Sequence, residues 1–95
     1  DRSQLAELGA ELNRRVLADW MAQGVGVVDP ASTWVDVTAE LAQDVTLEQG
    51  VLVRGSTRIG QGARVGAYAI LTDAVIPAGC VVAPFSQLDA DAAQA

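Results

Sequence analysis

From Val35 onward the sequence reads in sixes, and no other property of the chain restricts its fold as strongly. The units run VDVTAE, LAQDVT, LEQGVL, VRGSTR, IGQGAR and VGAYAI, then a short five, LTDAV, and then IPAGCV, VAPFSQ and LDADAA. The first position is a branched aliphatic throughout: Val35, Leu41, Leu47, Val53, Ile59, Val65, Leu71, Ile76, Val82 and Leu88. The fifth is small or β-branched: Ala39, Val45, Val51, Thr57, Ala63, Ala69, Val75, Cys80, Ser86 and Ala92. Upstream, VDPAST (Val28 to Thr33) fits as an eleventh unit if one extra residue is allowed at Trp34. A fixed period of this kind is the signature of a repeat architecture.

A six-residue period with one aliphatic per unit predicts a solenoid. Each unit supplies a short strand and a corner, and three units close a triangular coil of about eighteen residues. Coils then stack at the inter-strand spacing of roughly 4.8 Å. The first-position aliphatic fills the triangle, and the fifth-position residue fits a corner with no room for bulk. Gly50, Gly62, Gly79, Asp44 and Asp91 recur near corners, where a left-handed backbone is tolerated. This class of coil winds left-handed, an exception to the right-handed crossover rule. Stacking also predicts that Asp36 lies under Arg54, and Glu40 under Arg58.

The first residues follow another period. Leu5, Leu8, Leu12, Val16 and Trp20 are spaced by three and four, which marks one face of an α-helix. Ser3 reads as its N-cap and Gly24 as its stop. Glu11 can pair with Arg14 and Arg15, and Arg15 with Asp19. Gly9 inside the helix costs about 1 kcal/mol relative to alanine. A helix with one apolar stripe must dock on another body; the alternatives are an ordinary packed helix and an arm joining two domains. The fold class is therefore mainly β: a short left-handed parallel β-helix of about three and a half coils, preceded by one long α-helix. The domain reading is 1–24 as helical arm or linker and 25–95 as β-helix.

Composition then removes classes of chemistry. The 95 residues contain no histidine and no lysine, and all six positive charges are arginine. Without histidine there is no Ser-His or Cys-His nucleophile pair and no His-ligated zinc. One cysteine, Cys80, excludes disulfide frameworks and cysteine metal clusters. Twelve acids against six arginines argue against a nucleic-acid or anionic-membrane partner. No run approaches the roughly 18 apolar residues of a membrane span, and no signal-peptide layout is present. A start at Asp1 without Met suggests a piece of something longer.

Individual candidates read mostly as structure. Cys80 sits in a fifth-position slot, where it serves as an inward-facing apolar filler. Asp29, Asp36, Asp44, Asp73 and Asp89 could supply an acid/base pair, but corner positions favour turn-making. Arg54, Arg58 and Arg64 suggest a phosphate-binding patch; acidic ladder partners for two of them favour cross-strand pairing. Trp34 and Phe85 could line a ligand or subunit groove or dock the arm, and Tyr68 and Phe85 are corner residues that should pack on something.

The opening DRSQLAELGAELNRRVL, followed by GVGVVDPASTWVD and a hexapeptide solenoid, resembles the bacterial bifunctional N-acetylglucosamine-1-phosphate uridyltransferase/glucosamine-1-phosphate acetyltransferase family. The likeness covers essentially the whole chain, and its specific part is the helix-to-DPASTW junction; hexapeptide units alone are shared by many transferases. It implies an upstream uridyltransferase-like domain, a helical arm, and a trimerising β-helix. It implies that the catalytic, cofactor-binding and metal positions lie outside this chain, with Mg and acetyl-CoA as cofactors of the parent family. One substrate-binding arginine of the family falls within LDAD, where Asp89 stands. A carboxylate reverses the charge needed to hold a sugar phosphate, which puts acetyl transfer by the parent in doubt. The polar ending DADAAQA, with Asp89 and Asp91, could instead cap the solenoid.

Three functions follow. The first is the arm and β-helix module of a sugar-nucleotide enzyme, cytoplasmic and homotrimeric, without nucleic-acid or membrane partners. The second is a stand-alone non-catalytic hexapeptide scaffold that trimerises. The third, a hexapeptide acyltransferase or carbonic-anhydrase-like enzyme, is nearly excluded by the missing histidine. The first two differ in whether a nucleotide-binding domain is encoded ahead of Asp1.

Overall fold

The computed structural model describes residues 1–90. Among the described residues one helix, α1 (Arg2–Ala22), is followed by eleven short strands. These are β1 (Gly26–Val27), β2 (Trp34–Val35), β3 (Glu40–Leu41), β4 (Thr46–Leu47), β5 (Leu52–Arg54), β6 (Arg58–Ile59), β7 (Arg64–Val65), β8 (Ile70–Thr72), β9 (Val75–Ile76), β10 (Val81–Val82) and β11 (Gln87–Leu88). All pairing is parallel, in three sheets: β1-β4-β7-β10, β2-β5-β8-β11 and β3-β6-β9. Every third strand therefore returns to the same side, as in a left-handed β-helix of nearly four turns.

The repeat columns become the core. Val35, Leu41, Leu47, Val53, Ile59, Val65, Leu71, Ile76 and Val82 are buried inside the triangle, and Leu88 packs against them. Ala39, Val45, Val51, Thr57, Ala63 and Ala69 fill the fifth-position slots. Thr57 is the one polar residue among these six. Its hydroxyl donates to the Arg54 carbonyl at 2.7 Å and accepts from the Ala74 N–H at 3.2 Å, so the buried oxygen is paired.

Three register expectations need correction. In the five-residue unit the slot is taken by Ala74, which is fully buried, while Val75 opens β9 and points outward. One residue fewer at that corner moves the slot back by one. In the earliest unit the inward residue is Val27, which is in register with Leu47, and Val28 is exposed. The corner after it has room for two extra residues because Asp29 folds it: its carboxylate accepts from Ala31 N–H at 3.3 Å and from Ser32 Oγ at 2.8 Å. Cys80 is exposed, not an inward filler. Among the described residues no strand is stacked over the coil that carries Cys80. Asp91 and Ala92, with the proposed tail cap, fall outside the described residues.

Corners are built from left-handed residues, and most are the expected Gly or Asp. One edge is different. There Tyr68 and Phe85 both adopt φ 61°, and their rings stack with centroids 5.6 Å apart and planes at 13°. Gly50 occupies the coil below, and a Cβ there would lie 2.3 Å from the Tyr68 ring. At Gly66 glycine serves close approach instead of backbone freedom. A Cβ on Gly66 would meet the Pro84 nitrogen at 2.5 Å and the Val82 carbonyl oxygen at 2.8 Å, backbone that cannot swing aside. Gly66→Ala is expected to cost about 1–3 kcal/mol by overpacking, read as a lower urea midpoint at unchanged slope. An unchanged midpoint would show that the coils can spread.

Candidate functional site: the arm-to-solenoid junction

The helix starts at Asp1, not Ser3. The Asp1 carboxylate accepts from the Gln4 N–H at 3.1 Å while the Gln4 side chain accepts from the Asp1 amino group at 2.9 Å, closing a capping box. Ser3 only donates to that carboxylate. At the other end Gly24, φ 101°, stops the helix as expected. Glu11 takes both Arg14 and Arg15, so Arg15 turns back instead of reaching Asp19. The hydrogen bond and charge of Arg14 lower the Glu11 pKa below its ordinary 4.5.

Only the Val16 and Trp20 end of the apolar stripe docks; its three leucines do not. Leu5, Leu8 and Leu12 are 69%, 64% and 56% exposed. The buried positions are Asn13 and Leu17, flanked by partly buried Val16 and Trp20. Leu17, with no exposed surface, joins the core cluster of the solenoid. The helix thus packs on its own β-helix, against β1 and β2.

Asn13 makes the junction specific. Its Nδ2 donates to the Thr33 carbonyl at 2.7 Å and its Oδ1 accepts from the Val35 N–H at 3.0 Å. One coil higher, the matching Val51 carbonyl accepts from the Trp34 N–H of the coil below, at 2.9 Å. Among the described residues no strand lies below β2, and the amide of Asn13 offers the same donor and acceptor as a peptide group. It stands in for a missing strand. No buried side-chain polar atom among the described residues lacks a partner.

Trp34 holds the other side of the junction. A Cβ on Gly9 would lie 3.4 Å from its ring, so the glycine that weakens the helix also admits the indole. Trp34 Nε1 donates to Asp36 Oδ1 at 2.7 Å, and Asp36 Oδ2 accepts from the Gly55 N–H at 2.8 Å. Asp36 therefore serves the indole and a corner, not Arg54, although it lies beneath Arg54 in register. Between the arm and the Pro30–Trp34 segment runs a groove of about 570 Å³, with Arg14 and Leu52 on its walls.

The three arginines do not form a patch. Arg54, Arg58 and Arg64 stand on β5, β6 and β7, one on each of the three sheets. Arg58 pairs with Glu40 at 3.5 Å, as the register predicts, and Arg64 pairs with Glu48. Asp73 folds a corner by accepting from the Ser56 N–H at 2.8 Å, and Asp44 is left-handed at φ 65°. Asp89 is exposed just beyond β11. Among the described residues no His/Cys/Asp/Glu group could hold a metal, and no helix is long and apolar enough to cross a membrane.

No protein-family model matches the chain. The bifunctional protein GlmU of Kineococcus radiotolerans is 52% identical to it over 82 residues, which is 86% of this chain. By sequence the chain is a relative of the GlmU proteins. GlmU of Micrococcus luteus is also 52% identical over 82 residues, and that of Rhodococcus jostii is 44% identical over an alignment covering 93% of this chain. The chain spans only 17%, 16% and 21% of these three relatives. The GlmU likeness therefore concerns a helix and a few coils, a small part of each relative.

Proposed function

We propose that this chain is the arm and β-helix module of a GlmU-type sugar-nucleotide enzyme, with 1–24 as arm and 25–95 as β-helix. Its role is assembly and positioning, in a cytoplasmic homotrimer, of an upstream uridyltransferase-like domain. The observation that carries the reading is the junction itself. In a GlmU-like sequence, the arm is sealed to the first coil by Asn13 and Leu17, so its direction is set by the solenoid. No residue described here is assigned to catalysis, to a cofactor or to a metal; Mg and acetyl-CoA belong to parts of the parent beyond these residues. Asp89, in place of the family arginine, has the wrong charge for a sugar phosphate.

The test is calorimetric titration of the 95-residue chain with UDP-N-acetylglucosamine and with acetyl-CoA. No saturable heat is expected from either. A micromolar Kd for one of them would overturn the assignment of this module to assembly alone.

A further inference from the structure

Among the described residues β1, β2 and β3 are the lowest strands of the three sheets, so together they form the base of the solenoid. A lower edge leaves main-chain groups pointing away from the coils. In β3 the Glu40 and Ala42 N–H groups bond upward to the Thr57 and Ile59 carbonyls, at 2.9 and 3.0 Å. The Leu41 N–H between them therefore points down. In β2 the downward groups are the Thr33 carbonyl and the Val35 N–H, both bonded to Asn13. Just ahead of β1 the Trp20 carbonyl accepts from the Val25 N–H at 3.0 Å, and Leu17 plugs the apolar triangle. The arm thus lies across the base at β1 and β2. Ahead of β3 it leaves a groove lined by Val16, Trp20 and Val37, with Val37 73% exposed.

We infer that the docked arm is an autoinhibitory contact: it keeps the base of the solenoid from pairing with the base of a second copy. Strand pairing brings two edges to about 4.8 Å. A helix about 10 Å thick, lying across two of the three edges, holds a second base beyond that distance. With the arm lifted, the base presents main-chain donors and acceptors around an apolar triangle that includes Val25, Val35 and Leu41, all buried in the docked state. Every copy carries the same triangle, of the same size and with the same alternation of donors and acceptors, and that makes a second base the matching occupant. Two bases meet about a two-fold axis, edge against edge and antiparallel, so the contact is complete after one pairing and does not grow. The hold of the arm is narrow. Asn13 and Leu17 are its buried residues, while Leu5, Leu8 and Leu12 are exposed. This contact lies at the end of the solenoid and is independent of the assembly role proposed above.

The experiment compares the 95-residue chain with two undocked variants by sedimentation and light scattering, with circular dichroism reporting the β-helix. One variant combines Asn13→Asp with Leu17→Asp. The other keeps Leu17 and combines Asn13→Asp with Gly9→Phe, which drives a ring against Trp34, 3.4 Å from a Cβ at that position. Each should have twice the wild-type mass, whatever number of chains the wild type holds. Hydrogen exchange should show the Leu41 amide protected in the doubled species and released on dilution. Adding Val37→Lys to either variant puts a charge at the basal rim and should return the mass to the wild-type value. Leu8→Ala alone, on the exposed face, should leave the mass unchanged. An unchanged mass in both undocked variants would overturn the proposal, as would growth into particles of no fixed mass. Loss of the β-helix signal in both would make the arm a folding element and reject the guard. A doubled mass that persists with Val37→Lys and leaves Leu41 unprotected would reject the base as the contact.

Discussion

Replacing Leu17 by alanine is expected to destabilise the chain by about 2–5 kcal/mol, among the largest effects of any single arm substitution. The side chain has no exposed surface and enters the core cluster of the solenoid from the helix. Its removal leaves a cavity between two elements that cannot easily close it, since the triangle is fixed by its own ladders. Small domains have little stability in reserve, so urea unfolding should show a clearly lower midpoint. Leu8→Ala is the control. That leucine is exposed, and the change should stay within about 0.5 kcal/mol. Equal losses from both substitutions would contradict the docking face described here.

Asn13→Leu should cost about 2–4 kcal/mol, through a different mechanism. The substitution is similar in size and more apolar, so a helix that merely buried its face would gain from it. Here it strips partners from the Thr33 carbonyl and the Val35 N–H, both of which bond to Asn13 at a buried site. An unsatisfied buried group costs about 1–3 kcal/mol. Hydrogen exchange offers the sharper reading: the Val35 amide should lose protection while amides of β5 and β8 keep theirs. If Asn13→Leu left the midpoint unchanged or raised it, the amide would not be acting as a substitute strand.

These two residues also mark where the sequence stops being legible. The apolar stripe is the strongest pattern in the helix, yet only its Val16 and Trp20 pack on the solenoid, while Leu5, Leu8 and Leu12 are exposed. Glycine and asparagine carry no hydrophobic signal, so a face built from Gly9, Asn13, Leu17 and Trp20 does not register as the buried one. A spacing of four between Gly9, Asn13 and Leu17 was the available clue, with no reason in the sequence to prefer it. The arginines show the same limit in another form. Arg54, Arg58 and Arg64 are close in the chain, but each lies on a different sheet because the corners turn between them. Glu48 as the partner of Arg64 follows once the coil is closed, since the two meet across neighbouring coils.

The β-helix itself was determined locally. An inward aliphatic every six residues and a small residue at each corner leave one way to bury both columns, and strand pairing follows from the repeat length. Departures arose where a unit was not six long, at Ala74 and at Val27, and at Cys80, over which no described coil is stacked. Only the tertiary structure decided which side of the arm is buried. That choice depends on shape and hydrogen bonding at the base of the first coil: a notch for Trp34, a plug for the triangle and an amide for an unpaired strand edge. None of these exists until the coil has formed.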